Sequence, residues 1–87
     1  MSGRYIVKHP KYEEAVEKLS KEFPRAEEVF RGAQWALARS PEDHGILIPD
    51  IGTYRAHLEC PEPMPHVHIF YTFDDRRINF LAIRPIE

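Results

Sequence analysis

Tyr54-Arg-Ala-His-Leu-Glu-Cys60, His66-Val-His-Ile-Phe-Tyr-Thr-Phe73 and Ile78-Asn-Phe-Leu-Ala-Ile83 are the three runs that decide the fold. Each is enriched in β-branched and aromatic residues. The stretches between them, Cys60-Pro-Glu-Pro-Met-Pro65 and Asp74-Asp-Arg-Arg77, are proline-rich or polar breaks, so the pattern predicts three consecutive strands in a meander. Pairing Phe73 with Ile78 across the second break sets Val67, Ile69, Tyr71 and Phe73 beside Ile78, Phe80 and Ala82 on one face, which should be core. The opposite face then carries His66, His68, Phe70 and Thr72 beside Asn79, Leu81 and Ile83. The same alternation in the first run sends Tyr54, Ala56 and Leu58 inward and Arg55, His57 and Glu59 outward. Arg55, His57 and His68 therefore share one face.

Upstream, Arg4-Tyr-Ile-Val-Lys8 is a short β-rich run that stops at His9-Pro10, and it is expected at a sheet edge or beside the C-terminal strand. Pro10 suits the first turn of a helix, and Tyr12, Ala15, Val16, Leu19 and Phe23 then recur at helical spacing with Glu13, Glu14, Glu17 and Lys18 outside. A second amphipathic helix follows Pro24, with Ala26, Val29, Phe30, Ala33 and Leu37 on one stripe. Its early acids, Glu27 and Glu28, suit the positive end of the helix dipole, and it should end by Ser40-Pro41. Trp35 lies off that stripe, so it either widens the buried face or is left for a partner. Ser40 through Gly52, with Pro41, Gly45, Pro49 and Gly52, reads as a connecting loop pinned to the core by Ile46-Leu-Ile48. The expected order is strand, two antiparallel helices, then a three-stranded antiparallel meander. This is an α+β domain spanning 1–87, with the helices on one sheet face and the Arg55, His57 and His68 face left open.

At 87 residues the chain is near the size at which one core only just suffices, so a partner protein is plausible. The single cysteine, Cys60, excludes an internal disulfide; it fits a reducing, cytoplasmic setting and is expected as a small buried apolar residue. No apolar run approaches the roughly 20 residues of a membrane span, and the first residues lack a signal-peptide stretch. Twelve Lys and Arg stand against fourteen Asp and Glu, so the molecule as a whole gives no attraction toward phosphate beyond a local basic patch. Acidic residues crowd the first half, whereas Arg76, Arg77 and Arg84 lie near the end.

With the order of elements in hand, the chain resembles the RelE/ParE toxin superfamily. The resemblance covers most of the chain and is carried by Leu37-Ala-Arg-Ser-Pro41, Tyr54-Arg-Ala-His-Leu58, Val67-His-Ile-Phe-Tyr-Thr-Phe-Asp74 and Arg77-Ile-Asn-Phe-Leu-Ala-Ile83. It implies either a ribosome-dependent mRNA endoribonuclease using basic residues on the open sheet face, or a gyrase inhibitor without comparable chemistry. In both cases a cognate antitoxin silences the toxin. In that resemblance Arg55 and His57 fall where RelE-type members have two strand lysines. His68 falls where they have an arginine three residues before the strand tyrosine, here Tyr71. Such members also use an arginine and a tyrosine after the last strand; Arg84-Pro-Ile-Glu87 holds no tyrosine, and Arg84 is the nearest charge.

Cleavage of RNA by its own 2′-hydroxyl needs a base, positive charge for the pentavalent phosphate and an acid for the leaving oxygen. Histidine serves as either base or acid because its ordinary pKa, about 6.5, lies near working pH. The expected arrangement is His57 as base, His68 as acid, and Arg55 and Arg84 on the phosphate. Phe70 is available as a stacking platform, and Arg77 as a phosphate contact if the site extends that far. The plainer reading is that a wet sheet face carries polar side chains anyway. A metal bound by His66 and His68, with His57 and Glu59 across from them, is the minor reading, because Arg55 nearby repels a cation. No cofactor is called for. The competing functional class is a non-enzymatic interaction module of the same fold.

Overall fold

Proline sets where the early elements begin and end. The computed structural model describes residues 4–86; residues 1–3 and 87, which the single-domain reading includes, lie outside it. β1 (Tyr5–Lys8) stops at His9, the N-cap of α1 (Pro10–Glu22), whose ring Nδ1 accepts the Lys11 backbone N–H at 3.2 Å. Pro10 in the first turn lacks only a donor that would have had no partner there. Phe23 closes α1 and Pro24 prevents its continuation, after which α2 (Ala26–Arg39) runs with Glu27 and Glu28 in its first turn and Arg39 in its last. Both ends complement the helix dipole.

The expected loop at Ser40 through Gly52 is structured instead. It contains a single helical turn, α3 (Pro41–His44), and a fifth strand, β2 (Gly45–Ile48), paired antiparallel with β3 (Thr53–Leu58) from Gly45 opposite Ala56 to Ile48 opposite Thr53. Ile46-Leu-Ile48 is short enough to read as loop in isolation, but its residues satisfy the otherwise unpaired edge of β3. The connection is a tight turn in which the Ile48 carbonyl accepts the Gly52 N–H at 2.9 Å, with Gly52 at φ 64°. That conformation favours glycine.

β4 (Val67–Phe73) and β5 (Arg77–Pro85) complete a five-stranded sheet of order β1-β5-β4-β3-β2. β1 joins β5 in parallel, as its short β-rich sequence allowed, and every other pair is antiparallel. The meander register holds at Phe73 opposite Ile78 and Tyr71 opposite Phe80. Beyond that the ladder slips: Phe70 faces Ala82 and Ile69 faces Ile83, leaving Leu81 as an extra residue in a β-bulge. The alternation expected for this strand is corrected accordingly. Ile83 enters the core, and Ala82 moves to the open face.

Helices α1 and α2 cover one sheet face. Their core contributions, Tyr12, Leu19, Phe30 and Leu37, meet Ala56, Val67, Ile69, Tyr71, Ile78, Phe80 and Ile83 from the sheet, and Cys60 is buried with them as expected. Two polar aromatic groups are tied inside. Gln34 Nε2 donates to the Tyr12 hydroxyl at 2.6 Å, and Tyr12 stacks on Phe80 with ring centroids 5.2 Å apart. The Tyr71 hydroxyl donates to the Pro41 carbonyl at 2.7 Å. Burial pushes both phenols up to about 12, so both remain protonated donors or acceptors. Gly45 is required beside Tyr71, because a Cβ there would fall on the tyrosine hydroxyl. Arg4 closes the opposite end: Nε donates to the Asp74 carbonyl at 2.6 Å, Nη1 donates to the Ala38 carbonyl at 3.1 Å, and the guanidinium lies 5.4 Å from the Phe73 ring centroid.

Trp35 does not widen the buried face; it is 65% exposed. Phe80→Ala is expected to cost about 3–5 kcal/mol in urea unfolding, since it empties a fully buried site. Tyr71→Phe should cost about 1–3 kcal/mol by leaving the buried Pro41 carbonyl without its donor. Wild-type stability in Phe80→Ala would show that Phe80 does not face the helices.

Candidate functional site

Cross-strand pairing assembles the open face in rows. In β3 and β4 the buried residues are Ala56, Val67, Ile69 and Tyr71, and strand alternation turns Arg55, His57, His68 and Phe70 to the other side. His57 lies directly opposite His68, and His68 lies directly opposite Arg84 on β5. One step along, Arg55 lies opposite Phe70, which faces Ala82. The result is a row of two imidazoles and a guanidinium, with a second guanidinium and an aromatic ring in the next row.

Arg84 reaches this face only because of the bulge. Unbroken alternation from Ile78 and Phe80 would turn residue 84 toward the helices; the extra residue at Leu81 reverses the sense, burying Ile83 and turning Arg84 outward. His66, just before β4, joins the group as well. Its ring centroid is 5.9 Å from that of His57, and the His57 and His68 centroids are 5.7 Å apart, all in edge-on arrangements. His68 also meets the Phe70 ring at 6.4 Å. The His66-Val-His68 spacing carried this signal in the sequence, but only as a metal motif. Among the described residues no three His, Cys, Asp or Glu side chains converge to hold a metal ion.

The face carries two guanidinium groups, Arg55 and Arg84. The ion pairs among the described residues, Lys21 with Glu17 and Arg25 with Glu28, lie on the helices, so neither Arg55 nor Arg84 has a carboxylate within ion-pair distance there. Partial burial holds the His68 imidazole below its ordinary pKa, and the charges of Arg55 and His57 push in the same direction. Bringing an anion to this row would relieve that repulsion. On the helix side of the sheet, a small apolar hollow of ≈ 120 Å³ opens between α2 and the end of β3, with Ala33, Leu37 and Ile69 in its walls and His44 at its rim. A larger hollow, ≈ 310 Å³, lies on the same side beside Tyr12 and Gln34, and neither hollow is walled by Arg55, His68 or Arg84.

Arg55, His57, His68, Phe70 and Arg84 are thus brought together. Arg77 is not: it sits at the far end of β5, paired with Tyr5. Its backbone N–H, like that of Arg76, donates to the Asp74 carboxylate at 2.9 and 2.8 Å. Those two N–H groups hold the Asp74 carboxyl below the usual carboxylate range. The segment Asp74 to Arg77 is turn chemistry, about seven strand residues or roughly 20 Å from Arg84.

Searches against protein-family models, curated proteins and solved structures found no match. Among the described residues no helix is long and apolar enough to cross a membrane.

The lowered His68 pKa carries a signed consequence for stability. Because the folded-state value lies below the unfolded value of about 6.5, the unfolded chain binds more protons in the window between them. Stability from this group is complete above the unfolded value and is lost as pH falls through the folded one. Urea midpoints are therefore expected to drop between neutral and mildly acidic pH, and His68→Gln should flatten part of that slope. An unchanged slope in His68→Gln would place the titrating group elsewhere.

Proposed function

We propose that this protein is a RelE/ParE-like toxin whose open sheet face cleaves RNA. The observation that carries the reading is the row His57, His68 and Arg84, with Arg55 and Phe70 beside it. Acid, base, phosphate charge and a stacking surface then lie within one sheet face. The helix pair on one side of the sheet and the β3-β4-β5 meander support the RelE-like arrangement, with α3 and β2 as additions to it.

In the proposed reaction the 2′-oxygen attacks the adjacent phosphorus while its proton passes to one imidazole. The bond to the 5′-oxygen breaks, and that oxygen takes a proton from the other imidazole, leaving a cyclic phosphate and a free 5′-hydroxyl. His68, held toward its neutral form by partial burial and by Arg55, suits the base better than the acid. This exchanges the roles expected from sequence, with His57 as the acid. Arg84 and Arg55 stabilise the charge that develops on the phosphate, and Phe70 offers its ring to an unstacked base. The natural substrate in this reading is messenger RNA held by the ribosome, and a cognate antitoxin covers the toxin until release.

A second reading, a gyrase-inhibitor type or inactive interaction module, draws on the apolar edge at β2, where Ile46, Leu47 and Ile51 are exposed. Message integrity and replication followed separately after induction distinguish the two. Purified protein with programmed ribosomes should cut message, with a rate that peaks on the acid side of neutrality. His57→Ala and His68→Ala should each lower the rate by about 10²–10⁴-fold without unfolding the domain. Arg84→Ala should lower it by about 10²–10³-fold. Full activity in the double histidine variant, or intact message after induction, rejects the nuclease.

A further inference from the structure

The outer face of α2 carries a stripe that neither the fold nor the proposed site uses. Glu28, Gly32, Trp35 and Arg39 recur at i, i+4, i+7 and i+11, directly opposite the buried Ala26, Phe30 and Leu37, and all four are exposed. Trp35, the chain's one tryptophan, is 65% exposed. Gly32 is its counterpart. A glycine inside a helix weakens it relative to alanine, and here a Cβ at Gly32 would meet nothing within 4 Å. Among the described residues nothing packs into that gap.

The spacing of the four residues is symmetric. If a second α2 lies antiparallel across the first, with Gly32 of one copy opposite Trp35 of the other, the same two-fold axis sets Glu28 opposite Arg39. The bulky residue then meets the missing side chain, and the acid meets the base, twice over. We propose that this stripe is an isologous interface and that its occupant is a second copy of this chain. Among the described residues Glu28 pairs with Arg25 alone, at 3.3 Å and exposed, a contact weak enough to be shared or exchanged. Trp and Arg are the residue types that dominate such contacts, and small residues let two helices approach closely. A contact through one helix is small beside the about 800 Å² per partner of a standard interface. Association is therefore reversible and concentration-dependent. Because α2 covers the other side of the sheet, the dimer leaves both His57 and His68 faces outward, and the inference stands independently of the nuclease reading.

Sedimentation equilibrium over a concentration series, with the fluorescence of Trp35 read in parallel, tests it. Wild-type protein is expected to dimerise with a blue shift of the tryptophan emission. Gly32→Ala should raise the melting temperature of the monomer and yet weaken the dimer at least tenfold. Gly32→Leu should abolish the dimer while leaving the circular dichroism of the monomer unchanged. Arg39→Glu should weaken the dimer, and adding Glu28→Arg to it should restore assembly, which only the antiparallel register allows. A wild-type protein that remains monomeric throughout overturns the proposal and leaves the stripe to a partner of different sequence. A dimer indifferent to Gly32→Leu overturns it equally, by placing the contact elsewhere.

Discussion

One extra residue in β5 holds the molecule's two sides in agreement. The core needs Ile78, Phe80 and Ile83 on the helix side, but that spacing is incompatible with strict two-residue alternation. The bulge at Leu81 resolves the conflict by letting two residues of β5 stand against one of β4. Without it, Arg84 would face the helices, where an unpaired guanidinium is prohibitively costly. With it, a large apolar side chain is buried, and a cation stands directly opposite His68. Core packing and the placement of Arg84 beside His68 follow from the same backbone irregularity.

A similar economy operates at the β2 edge. Tyr71 is fully buried, and its hydroxyl must be satisfied; the partner is the carbonyl of Pro41, which opens the single turn α3. The same tyrosine excludes any side chain at residue 45, so the first residue of β2 is glycine. The chain leaving α2 is thereby directed onto β3, and β2 pairs there. The sheet acquires a fifth strand whose exposed Ile46 and Leu47 remain open to a partner. The strand that shields β3 is thus itself an unprotected edge.

Arg55 and Arg84 share one sheet face with His57, His66 and His68. The crowding is felt at His68, which partial burial and the charges of Arg55 and His57 hold toward its neutral form. Each proton taken up by such a cluster adds a like charge beside two guanidinium groups, which folding does not favour.

Local sequence determined most of the elements and much of the site. Helical spacing in α1 and α2, β-branched runs and proline breaks were sufficient for the helix pair and the three-stranded meander, because those signals are local. Period-two alternation also placed Arg55, His57, His68 and Phe70 on a common face correctly, since β3 and β4 are regular throughout. Tertiary structure decided the rest. Ile46-Leu-Ile48 became a strand because β3 offered unsatisfied backbone groups to pair with, a property of the neighbour rather than of the segment. Arg84 joined the site through a register slip that only competition for the core could select, although an arginine at an apparently inward position hinted at it. Trp35 stayed outside because α2 had already filled its buried face with smaller residues. Local patterns specify which residues can form a strand or helix, whereas the choice of face at an irregular position depends on what the finished core can bury.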